Sequence, residues 1–472
     1  MSLVIANNVP ALGAQHNLTR TSNALSKSLE RLSSGFKVNR GADGPAALVT
    51  SEKQRAQIAG LSTAIDNTNK AVSMVQTAEG ALTEINSLLV KVRSLALDSA
   101  NAGVNDADAQ AANQAEIANA LDTIDRIANN TQFGSKKLLD GSAGVSATAT
   151  GADVTVLKAT DNSVAGTYAV DIATAAERAT VSAGTDQTAA LAANEVLTIN
   201  GVSVTLNTGM SQAEVVARVN EFTGQTGVVA VVDGTATKFY TENFGTAAEI
   251  SVVSNLAAEP DSTGVGISAL TDTGVNIEGT IGGNAAMGTG NVLTGTAGNT
   301  MDVKISLAAQ TGAANAHLSV TGAQGQVTVT DNSLVFQIGA NRNQTVTLGV
   351  SNMGSSSLGV GLVNNQFGSL SAIDVTSASK AQDAIAVIDQ AIDDVSTTRG
   401  ALGAFQGNTL ESTANNLRAT LENTVAAESV IRDTDFAVEI ANMTQQQILQ
   451  QAGLAVLGNA NQMPQMVLSL LR

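Results

Sequence analysis

The chain of 472 residues contains no cysteine and no tryptophan, and its only histidines are His16 and His317. It can therefore form neither disulfides nor the Cys/His ligand sets of common zinc sites. No sequence pattern around either histidine supplies the second group that general acid–base catalysis needs, so we expect no catalytic, cofactor-binding or metal-binding residues. Aromatic residues make up 2% of the chain. Packing must rest on aliphatic side chains and alanine, which suits helix seams and small strands better than large ligand pockets.

Positive charge is also scarce, because 24 basic residues against 41 acidic ones give a formal net charge of −17. Binding to phosphate groups needs clustered lysine and arginine, so nucleic acid and anionic membrane surfaces are disfavoured as partners. No apolar run approaches the roughly 18 residues of a membrane-spanning helix. The first residues lack a basic region followed by an apolar stretch, so we expect no Sec signal peptide.

Apolar residues recur at helical spacing near both ends of the chain. Leu18, Leu25, Leu29 and Leu32 form a stripe in the first segment, and residues 46–133 hold two helical patterns separated by the turn-like ANAGVNDAD. The last hundred residues repeat the pattern and read as long helix. We expect the two terminal segments to be helices that pair with each other.

The chain ends on MVLSLLR, in which Val467, Leu468, Leu470 and Leu471 are apolar. Chain ends in water usually fray and tolerate polar residues. Burying one leucine contributes about 1.5–3 kcal/mol, so several together favour association. By their residues alone, these four side chains pack either against the chain's own domain or, with the four leucines of the first stripe, against neighbouring subunits; the family resemblance of other segments favours neighbouring subunits.

The middle of the chain, from about residue 145 to 370, is rich in Gly, Thr, Ser, Val and Ala. Short runs such as VLTINGVSVTL and QVTVT, separated by Gly, Asn and Asp, predict strands and turns. Residues 150–326 hold 16 acidic and 5 basic side chains, so 5 − 16 = −11 of the net charge lies there. We expect this insert to face water.

Several segments carry a resemblance to a known family. LERLSSGFKVNRGADGPAALVTSEKQRAQIAGL resembles the opening of bacterial flagellins, and NQAEIANALDTIDRIANNTQFGSKKLLDG continues it. LGAFQGNTLESTANNLRATLENTVAAESVIRDTDFAVEIANMTQQQILQQAGLAVLGNANQ resembles the flagellin C-terminal arm. LTINGVSVTLNTGMSQAEVVARVNEFTGQTGVVA is similar to a β-rich insertion motif of flagellins and hook-type proteins, and SLVFQIGANRNQTVTLGV to the β-hairpin before the C-terminal helix.

The resemblance implies an α+β fold, with long coiled-coil-like helical arms from both termini and a β-rich central insert. The expected domains are an N-terminal polymerisation helix (1–43), the N-terminal part of a helical bundle (44–150), a β-rich, outward-facing variable insert (151–325), a β-hairpin with the C-terminal part of the bundle (326–430) and a C-terminal polymerisation helix (431–472).

The resemblance also implies a function. Flagellins are structural subunits that polymerise into the bacterial flagellar filament for swimming motility, outside the cell, without enzyme activity or cofactors. The implied partners are copies of the chain itself, the flagellar type III export apparatus and a chaperone, and the filament cap and junction proteins. Two alternatives stay open: a hook–filament junction protein with similar arms, and an adhesin using the insert, although Tyr168 and Tyr240 are the only tyrosines available for a binding platform.

The segment VKVRSLALD, residues 90–98, resembles the part of many flagellins that engages a Toll-like innate immune receptor. Carried over by position, Lys91, Arg93 and Leu95 would make this contact, together with Glu116 of QAEIA. The same stretch is also a plain amphipathic helix that can pack against a neighbouring subunit. A separate acidic grouping, Asp389, Asp393 and Asp394, is interpreted as solvated surface rather than as a metal site.

Overall fold

The structure is a computed structural model that describes residues 8–101, 103–312, 315–362 and 365–470, except for the side chains of residues 464–470. The chain divides into two compact units. The first comprises the described residues within 1–69, 337–345 and 410–472, and the second those within 70–336 and 346–409.

Helices occupy both ends of the chain, as the apolar periodicity predicts, and two short helices lie in its middle. They are α1 (Val9–Ser34), α2 (Pro45–Ser99), α3 (Ala107–Asn130), α4 (Gln212–Asn220), α5 (Thr223–Thr226), α6 (Ala378–Ala404), α7 (Ser412–Arg432) and α8 (Phe436–Leu470), with a π-helical segment at Phe405–Glu411 and 3-10 turns at Gly41–Asp43, Gly298–Thr300 and Leu370–Ala372.

Local sequence explains where the helices begin and end. The Asn8 side chain accepts a hydrogen bond from the Ala11 N–H at 3.1 Å and so caps α1, and Asp106 caps α3 in the same way through Ala109 at 2.9 Å. Such caps stabilise a helix by satisfying one of its free N–H groups. Helix α1 stops at Gly35, whose φ of 75° is the left-handed conformation that glycine adopts most easily.

The long helix α2 buries one continuous stripe. Its buried residues alternate in steps of three and four, which is the heptad spacing of a coiled-coil seam. They are Ser51, and then, after a half-buried stretch, Leu61, Ala64, Thr68, Ala71, Val75, Ala78, Leu82, Ile85, Leu89, Val92, Ala96 and Ser99. Ile58, Ile65 and Val72, which carry part of the sequence periodicity, are half-buried beside the stripe. The predicted seam is therefore present, with small residues filling several of its positions.

The C-terminal arm is less continuous than its apolar pattern suggests. The predicted long helix is present but interrupted at two places, the π-helical segment and residues 433–435, where the chain leaves the helix. Asp435 explains the second break, because its carboxylate accepts hydrogen bonds from the Ala437 and Val438 N–H groups at 2.9 and 3.2 Å. An aspartate in this position starts a new helix.

The middle of the chain forms strands, as its composition predicts. They are β1 (Gln132–Phe133), β2 (Lys136–Lys137), β3 (Val145–Ala149), β4 (Val154–Lys158), β5 (Gly166–Thr174), β6 (Arg178–Ser182), β7 (Glu195–Ile199), β8 (Val202–Leu206), β9 (Val228–Asp233), β10 (Ala236–Phe244), β11 (Glu249–Ser254), β12 (Leu270–Thr273), β13 (Glu278–Ile281), β14 (Asn284–Thr289), β15 (Val292–Gly295), β16 (Lys304–Leu307), β17 (Gly322–Asp331), β18 (Leu334–Gln337) and β19 (Thr345–Leu348).

The largest sheet is antiparallel and has the order β3-β17-β5-β13-β14-β15-β16-β4. Its two edge strands, β3 and β4, are consecutive in the chain and lie close together. Alternate side chains on its strands form one apolar core that includes Ile172, Leu293 and Ile305. Because β3 pairs with the far end of β17, the β-rich body extends on both sides of the expected 151–325 insert.

A second β-rich body surrounds α4. It contains the sheets β12-β11-β7-β8 and β6-β10-β9, and its core includes Leu197, Val215 and Phe239. Asn200 and Gly201, both at positive φ, make the tight turn between β7 and β8, which is the usual chemistry of a two-residue hairpin. This body contains the predicted insertion motif, whose strands flank a helix. The predicted hairpin is also present, as the two-stranded sheet β18-β19.

Candidate functional site

The candidate functional surface belongs to the helix pair α1 and α8. Three contacts set its direction: Asn8 Nδ2 donates to the Ala460 carbonyl at 2.9 Å, Leu18 lies against Gly453, and Arg31 Nη1 is 3.6 Å from Glu439 Oε2. Residue numbers rise along α1 while those of its contacts fall along α8, so the helices are antiparallel. A Cβ at Gly453 would lie 3.4 Å from Leu18 Cδ1, which is ordinary van der Waals contact.

Both helices turn a heptad stripe of buried or half-buried residues to this seam. On α1 the stripe is Ala11, Ala14, Leu18, Thr21, Leu25, Ser28 and Leu32. On α8 it is Glu439, Met443, Gln446, Gln450, Gly453, Leu457 and Ala460. Steps of three and four are the spacing of a coiled coil, which confirms the predicted pairing of the two ends. The α8 half of the seam is mixed, because it includes the polar residues Glu439, Gln446 and Gln450 beside Met443 and Leu457.

The apolar side chains of α8 lie mostly outside the seam. Val438, Leu449, Val456 and Met463 recur at intervals of 11, 7 and 7 residues along one face, and each is about half exposed or more. Ile448 is 60% exposed and Leu454 55% exposed on other faces of the helix. The helix therefore leaves much of its apolar surface exposed to solvent in the single subunit. Contiguous exposed apolar surface of this kind marks an interaction site.

The predicted subunit contacts divide into three groups. Leu18, Leu25 and Leu32 lie on the α1–α8 seam within one subunit, so they are at least half covered before any neighbour arrives. Leu29 is 49% exposed and is free to meet a neighbour. Val467, Leu468, Leu470 and Leu471 lie outside the residues whose side chains the structure describes.

The connection between α1 and α2 is fastened to the break between α7 and α8. The Lys37 N–H donates to the Arg432 carbonyl at 2.7 Å, and the Thr434 N–H donates to the Gly35 carbonyl at 2.9 Å. The Arg432 guanidinium also lies over the Phe36 ring, 4.6 Å from its centroid, which is a cation–π contact. These contacts hold the connection between α1 and α2 against the connection between α7 and α8.

Asp43 closes the same connection. Its carboxylate lies 2.7 Å from Lys27 Nζ and accepts hydrogen bonds from the N–H groups of Arg40 and Asn39 at 3.0 and 3.3 Å. The hydrogen bond from Lys27, followed by those from the backbone, lowers the pKa of Asp43 to about 2. Each of these donors favours the charged carboxylate, so Asp43 is ionised in the folded chain.

The segment 90–98 lies on the last turns of α2, and the structure separates its predicted contact residues into two ion pairs. Lys91 Nζ is 2.6 Å from Glu116 Oε1 on α3. Arg93 pairs instead with Asp389 on α6, with Nε and Nη2 at 2.6 and 3.3 Å from the two carboxylate oxygens. Leu95 is half-buried between them. The pair with Asp389 raises the pKa of Arg93.

The expectation that Asp389, Asp393 and Asp394 form a solvated surface is wrong for Asp394 alone, since the Asp389 side chain is 47% exposed. Asp389 makes the bidentate pair with Arg93, and Asp394 lies 3.0 Å from Lys158 Nζ with a side chain only 12% exposed. Asp393 is exposed, as expected. The partner of Asp394 lies 236 residues away in the chain, so no local pattern could have revealed it.

Sequence reasoning also missed a buried carboxylate. Glu195, at the start of β7, is fully buried. It accepts hydrogen bonds from the Ser254 hydroxyl at 2.5 Å, from the Thr263 N–H at 2.9 Å and from the Thr263 hydroxyl. Because a buried charge needs such partners, Glu195 fastens the loop after β11 onto the edge of β7. Its three donors come from two residues, which leaves no open coordination of the kind that a ligand site requires.

Among the residues that the structure describes, no three His, Asp or Glu side chains form a group that could hold a metal ion. Within those ranges, no helix is both long and apolar enough to span a bilayer.

Paired terminal helices with an apolar outer side, joined through a β-rich insert, define a structural subunit of a helical assembly. The chain matches the family model of the bacterial flagellin N-terminal helical region over residues 5–144, and that of the bacterial flagellin C-terminal helical region over residues 385–471. It is 34% identical to the B-type flagellin of Pseudomonas aeruginosa, with 100% of each chain covered. It is 33% identical to a flagellin of Clostridium tyrobutyricum, with 98% of this chain and 100% of that protein covered.

The chain belongs to the bacterial flagellin family, and it is a structural subunit of the bacterial flagellar filament. Solved structures overlap with it only partly. The FliC protein of Burkholderia pseudomallei is 18% identical, with 73% of this chain and 99% of that chain covered at a TM-score of 0.24. The flagellar hook associated protein-3 of Legionella pneumophila is 13% identical, with 80% and 97% covered at a TM-score of 0.30. Scores this low support no transfer of function.

Proposed function

We propose that the subunit polymerises through the outer side of the α1–α8 pair. The observation that carries this proposal is the exposure of large apolar side chains on α8: Ile448, Leu449, Leu454 and Val456 are all about half exposed or more in the single subunit. In a lone subunit these apolar side chains are in contact with water, which is unfavourable in free energy. Burying one such side chain against a neighbour contributes about 1.5–3 kcal/mol, and a filament repeats the contact at every subunit.

The test is the double variant Ile448→Asp with Leu454→Asp. Both side chains are exposed in the single subunit, so its helical content by circular dichroism should be unchanged. The loss of two apolar contacts, about 3–6 kcal/mol, should raise the critical concentration for polymerisation at least about 100-fold. Gln447→Asp, an exposed polar position on the same helix, is the matched control and should polymerise normally. Normal filaments from the double variant would refute the proposal.

The remaining partners follow from the same role. A filament subunit has to reach the outside of the cell, and its family membership supports export through the flagellar type III apparatus with a chaperone. At the two ends of a filament, the same helical surface would meet the junction and cap proteins. Copurification of the secreted chain with an export chaperone, lost when residues 436–470 are removed, would support this role. We expect no enzyme activity, because polymerisation needs only contacts.

Recognition by a Toll-like receptor is a further part of the proposal. Lys91 and Glu116 are about half exposed, and so is Arg93, which leaves charged groups beside the exposed Val90 and Leu97. Arg93→Ala should lower signalling by the subunit at least tenfold in a reporter-cell assay, whereas Lys70→Ala, an exposed lysine earlier on α2, should not. Because Arg93 also pairs with Asp389, Asp389→Ala separates the two roles: if it lowers signalling as much as Arg93→Ala does, the arginine acts only by holding α2 and α6 together.

A further inference from the structure

The helical run from Ala378 to Arg432 contains the π-helical segment Phe405–Glu411. A π-helix bonds residue i to residue i+5 and therefore takes in one more residue per turn than an α-helix. Such segments are uncommon and occur frequently at functional positions. The segment is not needed to bend around a proline, because the four prolines lie at positions 10, 45, 260 and 464.

The spacing of buried residues explains why a π turn forms here. Leu402, Leu410 and Ala414 are buried, at separations of eight and four residues. An α-helix turns about 100° per residue, so in a continuous α-helix Leu410 would lie about 80° from Leu402 around the axis, and Ala414 about 120° from it. A π segment turns less per residue and returns both residues toward the face of Leu402. The sequence thus carries one residue too many for an α-helical seam.

Glycines make the same region easy to deform. Gly400, Gly403 and Gly407 lie within twelve residues of helix, and a Cβ added at any of them would have no atom within 4 Å apart from its own helix and chain neighbours. Packing therefore does not require glycine at these positions. Glycine in a helix interior weakens the helix relative to alanine, because it has more conformational freedom to lose. The three glycines lower helix stability where the hydrogen-bonding pattern changes.

The helices on either side are held in place. Asp389 on α6 makes its two bonds to Arg93, and Glu428 on α7 accepts a hydrogen bond from the Ser51 hydroxyl at 3.0 Å. Rearrangement within residues 400–411 can therefore proceed while these contacts remain.

From these observations we infer that residues 400–411 form a compliant joint, in which the helix exchanges between the π turn and an α-helical register. The joint gives the helical arm a defined place to take up or release one residue. This role concerns the single subunit and does not depend on which surface of α8 meets a neighbour, so it stands or falls separately from the proposed polymerisation surface.

Hydrogen exchange followed by mass spectrometry tests the joint in the full chain. Peptides from 400–411 should exchange at least tenfold faster than peptides from 385–395 and 415–428. Replacing Gly400, Gly403 and Gly407 by alanine should slow exchange there by roughly fivefold per glycine, or about 100-fold for all three. Gly80→Ala is the matched control, because Gly80 is an exposed glycine of α2 that also has open space around it, and it should leave exchange in 400–411 unchanged.

Deletion of Asn408, an exposed residue of the π segment, is the second test. The deletion shortens the separation between Leu402 and Leu410 from eight residues to seven, and that between Leu402 and Ala414 from twelve to eleven. Both new separations fit an α-helical heptad, so hydrogen exchange in the joint should become as slow as in its flanks. Three results would overturn the inference: slow exchange of 400–411 in the wild type, no slowing in the triple alanine variant, or faster exchange of 415–428 after the deletion. The last would show that the extra residue is needed to hold α7 rather than to let it adjust.

Discussion

Glu195 offers a sharp test of how the body around α4 is held together. In Glu195→Leu, the apolar bulk of the side chain is kept but its acceptor oxygens are lost. The Ser254 hydroxyl, the Thr263 hydroxyl and the Thr263 N–H then have no carboxylate to bond. Ser254 is 4% exposed and Thr263 is fully buried, so water cannot replace the acceptor without a rearrangement of the loop.

The expected magnitude follows from these three donors. A buried donor left unsatisfied costs about 1–3 kcal/mol. The two hydroxyls can rotate toward other acceptors, whereas the amide cannot, so we expect a total near the lower end, about 3–5 kcal/mol. In Glu195→Gln an amide oxygen remains as acceptor, and only the strength of a charged acceptor is lost, which is worth about 1–2 kcal/mol.

The assay is hydrogen exchange of peptides covering β7 and residues 254–266, since it reports local opening without requiring the whole chain to unfold. Glu195→Leu should speed exchange at least about 100-fold, and Glu195→Gln by about tenfold. Glu249→Leu, at an exposed position of β11, is the control for replacing a glutamate on a strand by leucine. If Glu195→Leu exchanges no faster than this control, the carboxylate does not hold the loop and the reasoning fails.

Two further predictions concern the arms and the insert. The pKa of Asp43 is lowered to about 2 when folded, below its unfolded value of about 3.9, so its contribution is complete above pH ~4 and is lost as the pH falls toward 2. In the wild type, the rate of pepsin cleavage within residues 35–44, normalised to an unstructured peptide, should rise as the pH falls from ~4 toward 2. If the rate in Asp43→Asn rises with falling pH as much as in the wild type, the Asp43 carboxylate does not hold this connection. Replacing residues 151–325 by a short Gly/Ser linker should leave a chain that still polymerises, because the two cut ends are adjacent: the Thr150 N–H donates to the Gln326 carbonyl at 2.9 Å. The filaments should be thinner because the insert is missing. A folded, exported deletion variant that never polymerises would place essential contacts in the insert.

The parts of the fold that could be predicted are those set by local spacing. The stripe along α2 repeats over many heptads, and the caps of α1 and α3 are asparagine and aspartate at the expected places. The π segment also had a signal, the separation of eight residues between Leu402 and Leu410, but an apolar pattern alone does not tell such a shift from a wider stripe. The break before α8 is marked by Asp433 and Asp435, which can be interpreted as caps only when the helix is known to stop.

The parts that could not be predicted depend on distant partners. In the sequence Asp394 resembles a surface carboxylate, and only the fold shows that it pairs with Lys158. The role of Glu195 likewise depends on hydrogen bonds from Ser254 and Thr263, which are distant in the chain. The polarity of α8 is a different case. Its periodicity was visible, but which of its stripes faces α1 depends on the contacts of Asn8, Leu18 and Arg31. A sequence read alone assigns the apolar stripe to the interior, and here much of it is outside.

The topology of the chain also dictates the order in which it can fold. The large sheet joins β3 to β17 and β4 to β16, so neither edge strand finds its partner until almost the whole insert is available. The hydrogen bond between Asn8 and Ala460 spans 452 residues, so the terminal pair is completed last, whichever end of the chain emerges first. Contacts between distant residues form slowly because the loop must close before they contribute. The connectivity therefore delays the helix pair until the rest of the polypeptide is present.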